Sequence, residues 1–264
     1  WEHDLPARTN LRLQAYYDRT ARQAIHFGEE RNTFDFDLLL RTPIGRRHQL
    51  SWGAGARTSD SDVTPKFSTL TLVPEDRNQR LASVYAQDEI AVLRDELFAT
   101  VGTKLEHNTY TGWEVQPSAR LLWRVDTQET LWAGATRAVR TPSRVETDLR
   151  LTQFVMPSPL TYAKLVATPL FDAEGLLGLE AGYRRLVTPS VYVDVTAFHN
   201  IYKNLSSYGP FTFTLEAVPL PHLLATTTYE NGIRATSDGL EIAPDWRPRG
   251  WLRLRGSYAL LSIN

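Results

Sequence analysis

The sequence contains no cysteine, which excludes a disulfide framework and any thiolate metal site. It also lacks any apolar run of about 18 residues, so no transmembrane helix is encoded. A transmembrane strand is not excluded, because it needs only about 10 residues with every second one apolar. Surplus charge is missing too: the formal net charge is -1 over 264 residues, so nothing draws the whole chain toward nucleic acid. There is no Walker loop, no Gly-x-Gly-x-x-Gly turn and no Gly-x-Ser-x-Gly nucleophile turn. The six histidines, His3, His26, His48, His107, His199 and His222, are scattered, with no partner at metal-ligand spacing. No catalytic set, metal site or cofactor is therefore expected, and no enzymatic activity. The chain opens at Trp1 without an initiator methionine or signal peptide and stops at Asn264 on a running strand. Both ends are accordingly expected to be sites of processing or truncation.

What is present is alternation. Leu11, Leu13, Ala15 and Tyr17 share one face, with Arg12 and Gln14 opposite. Phe34, Phe36, Leu38 and Leu40 stand against Asp35 and Asp37, and Val191, Val193, Val195 and Ala197 against Asp194 and Thr196. Period-2 patterning of this kind, with 7 Trp, 11 Tyr and 10 Phe, reads as β-strand. About eleven strands are expected, near 8–18, 33–41, 48–58, 80–91, 96–107, 115–125, 130–137, 178–187, 191–201, 232–246 and 251–262.

A soluble β-sandwich alternates in the same way, so the connections carry more information. Five are short, around Pro43–Arg47, Leu93–Asp95, Asp126–Glu129, Thr188–Ser190 and Arg247–Gly250, and use turn chemistry such as Thr-Pro-Ile-Gly. Those between them, 19–32, 59–79, 108–114, 138–177 and 202–231, are mostly long. Strict alternation of short and long puts every short turn at one end of an antiparallel meander. Outer-membrane barrels have that asymmetry, whereas sandwiches have no need of it. Trp52, Trp123, Trp246, Trp251, Tyr17 and Tyr85 lie near expected strand ends, where an interfacial girdle would place them. The fold class expected is all-β: an antiparallel up-and-down transmembrane β-barrel wall. In such a wall Leu38, Leu50, Leu121, Val193 and Leu254 point outward to lipid, and Arg120, Asp194, Glu241 and Arg253 point into the lumen.

Several segments resemble the barrel of TonB-dependent receptors. The most specific is EVQPSARLLWRVDTQETLWAGATRAVRTPSR at 114–144, preceded by ELFATVGTKLEHNTYTGW at 96–113. VYAQDEI at 84–90, YYDRT at 16–20, FDFDL at 34–38, LGLEAGYRRLVTPSVYVDVTAFHNIYKNL at 177–205 and DGLEIAPDWRPRGWLRLRGSYALL at 238–261 are similar to further strands of that family. The family builds a 22-stranded barrel around an N-terminal plug, so about eleven strands imply that residues 1–264 are part of the barrel domain, without a plug. The resemblance implies a bacterial outer-membrane receptor that takes up a bulky, scarce ligand, most often an iron–siderophore complex. Energy would come from a TonB complex acting on the absent plug, with outer-membrane lipid and lipopolysaccharide around the barrel. A passive porin-like barrel and a soluble all-β binding module are the alternatives.

For ligand contact, Arg137, Arg140 and Arg144 cluster around Thr141-Pro142-Ser143, and arginine forks suit carboxylate, catecholate or phosphate groups. The same residues would equally anchor a loop or pair with lipopolysaccharide phosphates or plug carboxylates. Tyr110 and Trp113, in a neighbouring outer connection, offer an aromatic wall to a ligand or belong to the rim girdle.

Overall fold

A shift of one residue would turn every apolar side chain of a strand to the wrong face, so register organises this fold. The computed structural model describes every residue from Trp1 to Asn264. In chain order it contains β1 (Glu2–Leu5), β2 (Thr9–Gln23), β3 (Phe27–Ile44), β4 (His48–Pro65), β5 (Leu70–Leu72), β6 (Asp76–Leu93), β7 (Leu97–Asn108), β8 (Gly112–Arg124) and β9 (Glu129–Arg140). The short helix α1 (Arg144–Asp148) follows, then β10 (Leu149–Pro157), β11 (Leu160–Val166), β12 (Glu174–Thr188) and β13 (Val191–Tyr208). Last come β14 (Thr212–Glu216), β15 (His222–Arg249), β16 (Leu252–Arg255) and β17 (Tyr258–Ile263).

The long strands pair as one antiparallel meander, β2-β3-β4-β6-β7-β8-β9-β12-β13-β15, and β16 and β17 then pair with β15. The eleven expected strands all recur, the last one split into β16 and β17 on either side of Gly256. At the other edge β1 folds back on β2. No rung joins β17 to β1 or β2, so the sheet is an open wall rather than a closed ring.

One rung shows why the wall is amphipathic. Leu13, Leu38, Ala54, Val84, Leu105 and Val115 lie side by side across six strands. A sandwich would cover this row with a second sheet about 10 Å away. Instead Val84 is 52% exposed, and only 24 of 264 residues are buried anywhere. Leu121 and Leu254 are exposed, while Leu38, Leu50 and Val193 are half-buried by their neighbours within the sheet. Trp52, Trp123 and Trp246 flank this face near the short-turn end, and Tyr17, Phe34 and Trp113 lie toward the other end, as two interfacial belts would. The opposite face is polar: Arg184 pairs with Asp194 at 2.9 Å, and Asp245 gathers Arg253 and Arg255.

The connections differ from the expectation in two ways. Segments 19–32 and 108–114 are mostly strand, leaving only Ala24–His26 and Thr109–Thr111 as turns. Polar residues on both faces break the apolar alternation there, but the ladder depends only on backbone groups, and cross-strand pairs such as Arg19–Glu30 at 3.0 Å tolerate exposure. Segments 59–79, 138–177 and 202–231 combine into a second, smaller sheet in the order β5-β10-β11-β15-β14, in which β11 runs parallel to the start of β15. That parallel pairing departs from a simple meander. The buried apolar residues (Val63, Leu149, Ala167, Phe171, Leu224 and Ala225) lie in this region, because only here do two layers meet.

On the polar face Trp132 is paired directly with Gly182, and its indole lies where a Cβ would be. The Arg184 guanidinium sits 5.6 Å from the ring centroid. Gly182→Ala is therefore expected to push the indole aside and cost about 1–3 kcal/mol by overpacking. Urea unfolding followed by tryptophan emission would show it, and an unchanged midpoint would mean the ring has room to move.

Candidate ligand site

The site is built where the long-loop end of the wall meets the excursion between β9 and β12. Leaving β9, the chain turns at Thr141-Pro142 and starts α1 with a capping box. The Ser143 N–H and hydroxyl donate to Glu146 Oε2 at 2.8 and 3.0 Å. Arg140 donates to both Glu146 and Glu174, with 2.8 Å from its Nε to Glu174 Oε2. Glu174 also accepts the Ser206 N–H at 2.9 Å, so one arginine ties β9, α1, β12 and β13 together.

A second node holds α1 on the far side. Asp148 is fully buried and Arg144 is 5% exposed. Arg144 Nε donates to Asp148 at 3.0 Å, Nη1 to Ser61 Oγ at 3.0 Å, and Nη2 to the carbonyls of Glu75 and Pro74. Arg77 reaches the other carboxylate oxygen at 2.9 Å and lies 5.6 Å over the Tyr110 ring. The Tyr110 hydroxyl accepts from Gln79. The excursion is thus stapled across the polar face, from β9 to the β4–β6 hairpin.

Of the five residues singled out in the sequence, Arg140, Arg144 and Tyr110 belong to this connected assembly. Arg137 and Trp113 do not. Arg137 is paired with Leu177 on the apolar face, donates to the Val115 carbonyl and lies 3.4 Å from Glu114. Trp113 is 71% exposed on that face, its ring edge-on to His107 at 5.0 Å.

Under the stapled excursion lies a cavity of about 450 Å³ whose lining includes Arg22, Glu29, Arg31, Arg57, Tyr110 and Arg144. Arg31 donates to Glu29 at 2.7 Å and Arg57 to Asp35 at 2.6 Å. Arg22 makes no ion pair, and the Arg31 Nε–H is buried without an acceptor. Sequence reasoning missed Arg22 and Arg31 because it placed them in a loop. Their even spacing to the polar positions of β2 and β3 was the available signal. A larger groove of about 930 Å³, lined by Ala15, Tyr17, Phe34, Phe36, Ala56 and Ala82 among others, opens mainly on the apolar face.

Residues 1–263 match the family described as TonB dependent receptor-like, beta-barrel. The chain belongs to that family. The TonB-dependent receptor barrel is also what solved structures match. The siderophore receptor PirA of Acinetobacter baumannii superposes with a TM-score of 0.80 at 16% identity, over 98% of this chain and 43% of its own. PirA of Pseudomonas aeruginosa gives 0.77 at 19% identity, over 99% and 48%. A mutant ferric enterobactin receptor, PfeA, of Pseudomonas aeruginosa, solved with enterobactin, gives 0.78 at 18%, over 98% and 42%. The chain therefore spans less than half the length of these receptors, and at such identities the likeness concerns the fold. No curated protein matches the sequence.

The Arg140 node is expected to make the excursion between β9 and β12 sensitive to acid. Burial alone would raise the Glu146 pKa, but hydrogen bonds from Arg140 and Ser143 outweigh it and hold the carboxyl below its ordinary 4.5. The Arg140 hydrogen bond likewise lowers Glu174, and both partners hold Arg140 protonated. Carboxylates depressed in the folded state contribute stability that is full above their ordinary value and lost as pH falls through the folded one. Protease sensitivity of 141–173 is expected to rise in strong acid and to stay flat from neutral to mildly alkaline pH. In Glu146→Gln the acid step should shrink and the neutral-pH sensitivity should rise; an identical pH profile would remove Glu146 from the latch.

Proposed function

We propose that this chain is the part of an outer-membrane receptor barrel, residues 1–264, that walls and roofs the entry of a bulky, scarce ligand, an iron–siderophore complex foremost. The carrying observation is the pairing of a two-faced β-wall with an arginine-lined rim cavity under a stapled excursion. The apolar face would meet outer-membrane lipid and lipopolysaccharide, and the polar face would meet a plug outside this segment, through which a TonB complex supplies energy. The siderophore receptors with the same fold support this ligand class. Of the residues nominated from the sequence, Arg144 and Tyr110 line the cavity, Arg140 holds its roof, and Arg137 and Trp113 serve the membrane side.

The second reading is a passive porin, for which the excursion would act as a constriction. Iron-starved cells expressing the full-length receptor should accumulate labelled iron–siderophore, and deletion of TonB should abolish this. Accumulation unaffected by loss of TonB would favour the porin, and a protein that partitions into water rather than detergent would overturn both.

A further inference from the structure

We infer that a second cavity, on one face of the small sheet, is a docking site for a neutral sugar ring, with Tyr162, Lys164, Glu216 and His222 as its contacts. It shares no lining residue with the rim cavity, so the inference goes beyond the uptake reading and does not depend on it.

Register assembles the lining from four strands. Thr152 on β10 is paired with Lys164 on β11, Tyr162 on β11 with Leu224 on β15, and His222 on β15 with Glu216 on β14. Paired residues, and residues two apart on a strand, share a face, so all six side chains lie on the same side of the sheet. Ser68 and Thr69, just before β5, close one end, held there by the Thr152 N–H donating to the Thr69 carbonyl at 2.8 Å. The enclosed volume is about 360 Å³, at the small end for a ligand pocket and suited to one ring.

The polar groups of this lining are free, and they are of both kinds. Lys164 makes no ion pair, and the hydroxyls of Ser68, Thr69, Thr152 and Tyr162 make no hydrogen bond within the protein. His222 is only 8% exposed. Its Nδ1–H donates to the Leu220 carbonyl at 2.7 Å, which leaves Nε2 of the neutral ring an acceptor. Nε2 lies 3.5 Å from Glu216 Oε2, so two acceptors face each other with no donor between them. A ligand hydroxyl supplies that donor, and elsewhere in the cavity it donates or accepts as each neighbour requires. Charge disfavours an ion of either sign, because the Glu216 carboxylate repels an anion and the Lys164 ammonium a cation. A zwitterion matches those two charges alone and leaves the four hydroxyls unused. The Tyr162 ring, edge-on to His222 at 5.2 Å, adds an apolar wall with Leu220 and Leu224. A pyranose has the same division, with C–H groups on its faces and hydroxyls around its rim.

The test uses the full-length receptor in detergent. The probes are the methyl glycosides of glucose, galactose, mannose and N-acetylglucosamine, with phenylalanine as a zwitterionic control. Saturation-transfer NMR detects binding, and titration at low and high salt gives the affinity. At least one glycoside should bind with a Kd of about 0.1–10 mM, changing less than about twofold with salt. Glu216→Gln gives His222 Nε2 a donor from within the protein and should weaken that glycoside about tenfold or more. Lys164→Met, which keeps the length of the side chain and removes its donors, should act in the same direction. Neither side chain holds a strand in place, so both variants should keep the parent urea midpoint; if one fails to fold, the other decides. An excess of a ferric tris-catecholate should leave the glycoside bound. The sugar site is overturned if no glycoside binds, if phenylalanine binds as tightly as the best glycoside, or if a folded variant keeps the parent affinity. Displacement by the iron chelate would make the cavity part of the uptake path and overturn a separate site, whereas glycoside binding without any uptake would leave it standing.

Discussion

Asp148→Ala is expected to cost about 3–5 kcal/mol and to release the excursion between β9 and β12, because it strands a buried arginine. Asp148 is fully buried and Arg144 5% exposed, with Arg77 the second cation on the same carboxylate. Removing the acid leaves two guanidinium groups facing each other away from water. Deleting both charges of the most buried pair is a different matter. Arg144→Met with Asp148→Leu should recover much of the loss, since apolar isosteres of a buried pair are often tolerated. A surface pair supplies the scale. Arg19 and Glu30, 3.0 Å apart with both side chains 60% exposed, should lose about 1 kcal/mol or less on Arg19→Ala. Urea unfolding and proteolysis within 141–173 would measure all three variants. The staple is refuted if Asp148→Ala and Arg19→Ala unfold at the same midpoint and are cut at the same rate.

The second large effect concerns the apolar face. Val84→Arg should cost about 2–4 kcal/mol, the value for an arginine turned to lipid at mid-membrane. Val84 lies near the middle of β6, 52% exposed, between Ala54 and Leu105. Gln87, three residues on, points to the polar face, paired with Ser51 and Gly102. Gln87→Arg should therefore assemble like the parent, although it adds the same charge to the same strand. The folded fraction recovered in lipid vesicles separates the two. Equal recovery would mean that β6 does not cross a bilayer.

Much of this was legible in the residues. Alternation at 33–41, 80–91 and 191–201 located β3, β6 and β13, and Thr-Pro-Ile-Gly and Thr-Pro-Ser located the short turns beside β3 and β13. Alternation was readable because a wall with one apolar and one polar face imposes period 2 on every strand it contains. Toward the long-loop end both faces turn polar, that pressure ends, and so did the legibility. Segment 19–32 looked like loop because Arg19, Arg22, Glu29, Glu30 and Arg31 are polar on both faces, yet it forms the top of a long hairpin.

The arginine cluster shows the same division. Sequence neighbours Arg137, Arg140 and Arg144 suggested one ligand-binding group, but strand periodicity sends Arg137 to the opposite face from Arg140. Arg144 is taken up by Asp148, Ser61 and the carbonyls of 74–75. The partners that decide this, Ser61 and Arg77, are more than 60 residues away, and no local pattern encodes them.

The sequence by itself determined the strands, their faces and the end of the wall at which the long connections lie. These follow from the period of the backbone and the chemistry of turns, both local properties. Only the tertiary structure decided that three of those connections join in one small sheet, that α1 is stapled beneath it, and that Arg22, Arg31 and Arg57 meet in one cavity. Those outcomes depend on which distant segments come within hydrogen-bonding reach once register is set, a matter of the folded geometry of the whole chain.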